Sequence, residues 1–119
     1  MTSPRSVLPD YYAAIDDGRL QDAVALLDES VTFAMHLPSG TRRGEGREAM
    51  MEYLSRRPPV ERRHHVLRSS AEDGLEFAYG KVTDDGAVTG YFLSAVALDV
   101  HGHIASYQVT FDVELGLLP

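Results

Sequence analysis

RRHHVLRSSAEDGLEFAYGKVTDDGAVTGYFLSAVALDVHGHIASYQVTFDVEL, from Arg62 to Leu115, is interrupted by turn chemistry at Asp73-Gly74, Asp85-Gly86 and His101-Gly102. The segments between these turns are rich in β-branched and aromatic residues, so the spacing predicts an antiparallel meander of strands over 62–71, 75–83, 87–99 and 103–115. The last strand alternates. Tyr107, Val109, Phe111 and Val113 share one face, and Ser106, Gln108, Thr110 and Asp112 share the other. The strand before it does not: Phe92, Val96 and Leu98 lie on one face and Tyr91, Leu93 and Ala95 on the other, so both faces need cover. Helices can cover only one of them. A second subunit is expected on the outer face, making a homodimer.

Upstream, the apolar period changes from two to about 3.6. Leu8, Tyr11, Tyr12 and Ile15 form one stripe of a helix that Gly18 ends, and Leu20, Val24 and Leu27 repeat the pattern in a second. Ser30 to Leu37 reads as a strand, Pro38-Ser39-Gly40 as a turn, and the residues up to Gly46 as a loop. Met50, Tyr53 and Leu54 mark the buried side of a third helix, which Pro58 and Pro59 stop. The expected architecture is α+β, one domain over residues 1–119: a strongly bent, mostly antiparallel sheet wrapped on three N-terminal helices and enclosing a pocket.

With 119 residues, 44% hydrophobic and 24% charged, the chain has the composition of an ordinary globular protein. It has no cysteine, which excludes disulfides, thiolate metal sites and cysteine nucleophiles. The opening MTSPRSVLP lacks the apolar core of a signal peptide, and no stretch reaches the roughly 18–20 apolar residues of a spanning helix, so a cytoplasmic location is expected. A net charge of −7 argues against nucleic acid or an anionic membrane as partner. The charge is unevenly placed. Arg42 to Arg68 holds eight arginines against four glutamates, a local +4 that leaves −11 for the rest. That segment is either a solvated basic face or a guide for an anionic substrate or acidic carrier. Glycine loops for phosphate, a serine-nucleophile elbow and a dinucleotide fingerprint are all missing from the sequence, and no compactly spaced ligand pair marks a metal site, so neither metal nor cofactor is expected.

YYAAIDDGRLQDAVALLDESVTF (11–33), GREAMMEYL (46–54) and HGHIASYQVTF (101–111) resemble the nuclear transport factor 2-like superfamily, in particular its SnoaL-like polyketide cyclase and ketosteroid isomerase branches. The resemblance spans nearly the whole chain and implies the cone-shaped, cystatin-like fold. It implies a pocket lined by Tyr107, Val109 and Phe111, closed by Tyr11, Met50, Tyr53 and Leu54, with Phe92, Ser94 and His65 as further candidate contacts. Ketosteroid isomerases use a first-helix tyrosine as oxyanion donor, matched by Tyr11; their aspartate base falls near Ala34 and their sheet acid near Ser94. An alanine takes no proton, and His36, on the same strand face, is the candidate replacement base. SnoaL-like dehydratases offer another match: a helix-one tyrosine followed five residues later by aspartate, here Tyr11 and Asp16, and a histidine starting the first long strand, here His64 or His65. Arg68 departs from that pattern, which has asparagine. Adjacent strand residues face opposite ways, so one at most of His64 and His65 lines the pocket.

The expected function is cofactor-independent proton-transfer chemistry (cyclisation, isomerisation or dehydration) on a polyketide-, steroid- or terpenoid-like small molecule. The enzyme would be an isomerase or lyase with His36 or His64 as base, Tyr11 as donor and Asp16 as orienting carboxylate. The alternative is a non-catalytic binding or carrier-docking module of the same fold.

Overall fold

The computed structural model describes residues 6–57 and 59–118; Pro58, half of the expected stop for the third helix, lies outside them, as do the first five residues of the opening segment. The chain runs α1 (Val7–Asp16), α2 (Leu20–Ala25), β1 (Leu27–Leu37), β2 (Gly40–Glu45), α3 (Arg47–Ser55), β3 (Arg62–Glu72), β4 (Leu75–Asp84), β5 (Ala87–Leu98) and β6 (Ile104–Asp112). The sheet order is β2-β1-β6-β5-β4-β3. β1 and β6 pair in parallel and every other neighbouring pair is antiparallel. α1 packs on β3 and β4, at one end of that order, and α3 on β1 and β2, at the other, with α2 between the two helices. A helical layer that touches both ends of a six-stranded sheet requires the sheet to bend around it.

The meander is built by its turns. Asp73 and Gly74 have φ of 48° and 78°, and Asp85 and Gly86 have 51° and 87°, paired left-handed residues that match the twist of the flanking strands. At the third turn the Asp99 carboxylate accepts the N–H groups of His101 (2.8 Å) and His103 (2.9 Å). α1 is fixed at its N-terminus from the far side of the chain. Glu76, buried on β4, accepts the Val7 and Leu8 N–H groups at 3.0 and 2.9 Å. A carboxylate there satisfies two donors and complements the helix dipole.

Three boundaries differ from the reading of the sequence. Residues 40–45 form an edge strand, β2, rather than a loop, with Met35 opposite Arg42 and Leu37 opposite Gly40. Its largely solvent-exposed, polar sequence carries no alternation to betray it. Leu27 opens β1 instead of continuing α2, which stops at Ala25. The last strand ends at Asp112, and Val113, expected on the inner face, is 65% exposed. Beyond it the chain crosses the outer sheet face, where the Tyr79 hydroxyl donates to the Leu115 carbonyl (2.5 Å) and accepts the Leu117 N–H (2.7 Å).

Candidate active site

The inner faces of the strands and the buried stripe of α1 enclose a cavity of about 220 Å³. Alternation decides which residues reach it. From β6 come Tyr107, Val109 and Phe111, from β5 Phe92, from β4 Val82, from β3 Arg62 and His64, and from β1 Met35 and Leu37. Gly90 makes room on β5: a Cβ there would stand 2.4 Å from the Phe111 ring, so only glycine lets that ring lie on the strand. The helices contribute Tyr11, Tyr12 and Ile15 from α1, Tyr53 and Leu54 from α3, and Arg57 just after it.

Within this mostly apolar lining, polar groups converge on one wall. Asp16 closes α1 and aims its carboxylate at the start of β3, where it accepts two hydrogen bonds from one residue. The His64 N–H donates to Oδ2 at 2.5 Å and the ring Nδ1–H to Oδ1 at 2.8 Å. A carboxylate only accepts, so Nδ1 carries a proton, and in the neutral imidazole the lone pair is therefore on Nε2. The side chains of Asp16 and His64 are 5% and 17% exposed. The imidazole stacks on Tyr12 (centroids 4.6 Å apart, 18° between planes) and meets Phe92 edge-on at 5.4 Å, contacts that leave it little freedom. The imidazole is thus held in one orientation, with its other nitrogen unbonded to any described residue.

Three buried phenols face the same space. The Tyr12 and Tyr107 hydroxyls share a hydrogen bond of 2.6 Å, and the Tyr11 ring lies 5.5 Å from that of Tyr107. Burial pushes the Tyr12 phenol up to about 12 and raises those of Tyr11 and Tyr107 well above the ordinary phenol value; neighbouring phenols add to the shift for Tyr11 and Tyr107. All three are therefore neutral at ordinary pH; one O–H is spent in the Tyr12–Tyr107 bond, and the other two are donors suited to receiving negative charge that develops on a substrate oxygen. At the rim Arg62 makes a two-pronged pair with Asp84 (2.7 and 3.0 Å), which raises the pKa of the guanidinium and lowers that of the carboxyl.

Four expected contacts lie elsewhere. His36 is on the outer sheet face, its Nε2–H donating to Gln108 at 3.1 Å and its Nδ1 accepting from Thr41 at 3.2 Å. The inward positions of β1 are Met35 and Leu37, so Ala34 and His36 both point away and the candidate base on that strand is removed. His65 shares a hydrogen bond with Thr83 at 2.9 Å on the outer face. Met50 is fully buried in the core behind the cavity wall, and Ser94, 2% exposed, directs its hydroxyl at the Ala78 carbonyl (3.4 Å). Conversely, Tyr12, Arg57 and Arg62 line the cavity and were not among the expected site residues. Tyr12 carried a signal: a tyrosine on a core stripe needs a buried partner for its hydroxyl.

Among the described residues no three histidine, aspartate or glutamate side chains group as metal ligands, and no helix is long and apolar enough to cross a membrane. No protein-family model and no curated protein matches the chain. Solved structures do. A nuclear transport factor 2-like protein of unknown function from Cytophaga hutchinsonii superposes with a TM-score of 0.70 at 21% identity, covering 94% of this chain and 95% of that one. The epoxide hydrolase/cyclase-like enzyme SalBIII, of pyran ring formation in the polyether salinomycin, gives 0.74 at 18% identity over 89% and 88%. A candidate ketosteroid isomerase from Kribbella flavida gives 0.73 at 19% identity over 97% and 82%. At such identities the likeness concerns architecture, and on that ground the chain has the nuclear transport factor 2-like, cystatin-like fold.

Proposed function

We propose that this protein is an enzyme that moves a proton on an apolar small molecule, with His64 as general base, in the course of an isomerisation, cyclisation or dehydration. The observation that carries this reading is the part-buried Asp16–His64 pair, whose imidazole lines an apolar cavity beside neutral phenols and whose Nε2 has no partner among the described residues. In the proposed step a C–H next to a carbonyl loses its proton to Nε2, and the electron pair moves into the carbonyl oxygen, which the phenol O–H groups stabilise. The imidazolium, stabilised by Asp16, then returns the proton to another carbon or to a departing hydroxyl. Solved proteins of like fold described as isomerase and cyclase-like fit this class of chemistry.

The test is exchange of enolisable protons of bicyclic and steroidal ketones in deuterated water, followed by proton NMR. Wild-type protein is expected to accelerate exchange, and His64→Ala to remove about 10²- to 10⁴-fold of that rate while keeping its circular dichroism spectrum. Equal exchange by both folded proteins would overturn the assignment of the base.

A further inference from the structure

We propose that the substrate carries a carboxylate, bound by Arg57 where the cavity opens into an arginine-lined groove; this rests on the cavity being the substrate site. The groove, of about 600 Å³, is lined by Arg42, Arg43, Arg56, Arg57 and Arg62 against one acid, Glu52, and it shares Tyr53, Arg57 and Arg62 with the cavity. Most of these cations are accounted for. Arg56 pairs with Glu52 at 2.6 Å, Arg62 is held by Asp84, and Arg42 and Arg43 stand in solvent on the edge strand.

Arg57 differs from all of them. It is half-buried, and among the described residues the one hydrogen bond of its guanidinium is a long one, 3.5 Å, to the Ile15 carbonyl in the last turn of α1. No described carboxylate lies within ion-pair distance of it. Asp16 is near enough to be felt, but its two oxygens are directed at His64 and make no ion pair with Arg57. Burial accordingly lowers the Arg57 pKa, partly offset by the charge of Asp16; the like charge of Arg62 lowers it further, and Tyr53 and Asp84 raise it by smaller effects. A guanidinium remains charged in spite of this, so a partly desolvated cation stands at the junction with most of its N–H donors unused.

An incoming planar anion would offset that cost through paired N–H···O bonds. One uncompensated guanidinium at the junction matches a monoanion, which favours a carboxylate over a doubly charged phosphate. The position also suits an amphipathic molecule, its apolar body against Phe92, Val109 and Phe111 and its acid at the rim. The exposed Arg42 and Arg43 add a local positive field on a chain whose net charge of −7 otherwise repels anions.

The experiment compares naphthylacetic acid with its methyl ester by calorimetric titration, at low and high salt. The acid is expected to bind wild-type protein about tenfold more tightly than the ester at low salt, with the gap narrowing as salt rises. Arg57→Gln should abolish the preference without weakening the ester, Arg57→Lys should restore part of it, and Arg19→Gln, far from the groove lining, should change neither affinity. Equal affinity of wild-type protein for acid and ester would overturn the carboxylate assignment and leave the apolar cavity as the substrate site. Equal loss of both ligands in Arg57→Gln would make Arg57 structural, overturning it as well. Failure of both compounds to bind wild-type protein would overturn the inference together with the reading of the cavity beneath it.

Discussion

At the scale of single residues, the bond from His64 to Asp16 fixes which ring nitrogen is free, so with His64 as the proposed base Asp16 would be a positioning residue, and its removal has a distinctive signature. Asp16→Asn keeps the volume but lets the amide donate, which permits the wrong tautomer. Turnover is expected to fall by about 10²-fold or more with KM little changed, because the aspartate orients the base without lining the cavity. A matching rise in KM would mean that the variant had lost the pocket instead. The phenols give an independent pH test. Tyr11, Tyr12 and Tyr107 ionise less readily folded than unfolded, so the native state holds more protons above about pH 10, the ordinary phenol value. Their contribution to stability is thus complete below pH 10 and lost as pH rises toward the folded values. Ultraviolet titration should show Tyr11, Tyr12 and Tyr107 ionising only above the ordinary phenol range, together with unfolding. Ordinary titration of these three in a folded protein would contradict the burial of their rings. The sequence could narrow the candidate histidines but not say which of them lines the cavity. His64 and His65 are adjacent, their neighbours are uninformative, and only the pairing of His64 with Val82 across β3 and β4 turns one of them inward.

At the scale of elements, α1 carries Tyr11, Tyr12 and Asp16 and is anchored at one end by Glu76 and at the other by the Asp16–His64 pair. Glu76→Ala leaves two helix N–H groups without their carboxylate and is expected to cost about 1–3 kcal/mol in urea unfolding, with Glu76→Gln losing less. An unchanged unfolding midpoint for the alanine variant would mean that solvent replaces the cap. No local feature announced that cap, since its partners are 68 and 69 residues apart. The meander was legible because each hairpin states its turn in two residues and its faces by alternation. β2 was not, because an exposed edge strand pairs through its backbone and asks nothing of its side chains. The register of β6 yields a further contrast. Phe111→Ala is expected to weaken binding of apolar ketones, whereas Gln108→Ala, on the outer face beside His36, should leave it intact. The reverse result would place the faces of β6 the wrong way round.

At the scale of the molecule, the two sides of the sheet are unequally finished. The inner side is closed by helices. The outer side is covered by the C-terminal segment only near Tyr79 and Tyr91, whose rings stack at 6.4 Å. Further along β4 and β5, Leu75, Phe77 and Leu93 remain 43%, 38% and 49% exposed, and the pairing of Phe77 with Ala95 and Tyr79 with Leu93 makes them one apolar surface. An uninterrupted patch of this kind on a central pair of strands is best covered by a second copy of itself, since twofold association buries it on both partners at once. Sedimentation equilibrium at micromolar concentration is therefore expected to give twice the chain mass of 13.1 kDa, and Leu93→Lys to give the monomer. Electrostatics sets the sign of the salt effect. Two chains of −7 repel, and screening shortens the reach of that repulsion to about 8–10 Å at moderate ionic strength, so added salt should tighten the dimer. A single 13.1 kDa species at every concentration and salt level would leave the patch exposed in solution and defeat the dimer. Dimerisation that weakened with salt would point instead to ion pairs, with the arginine-rich edge around β2 as the contact.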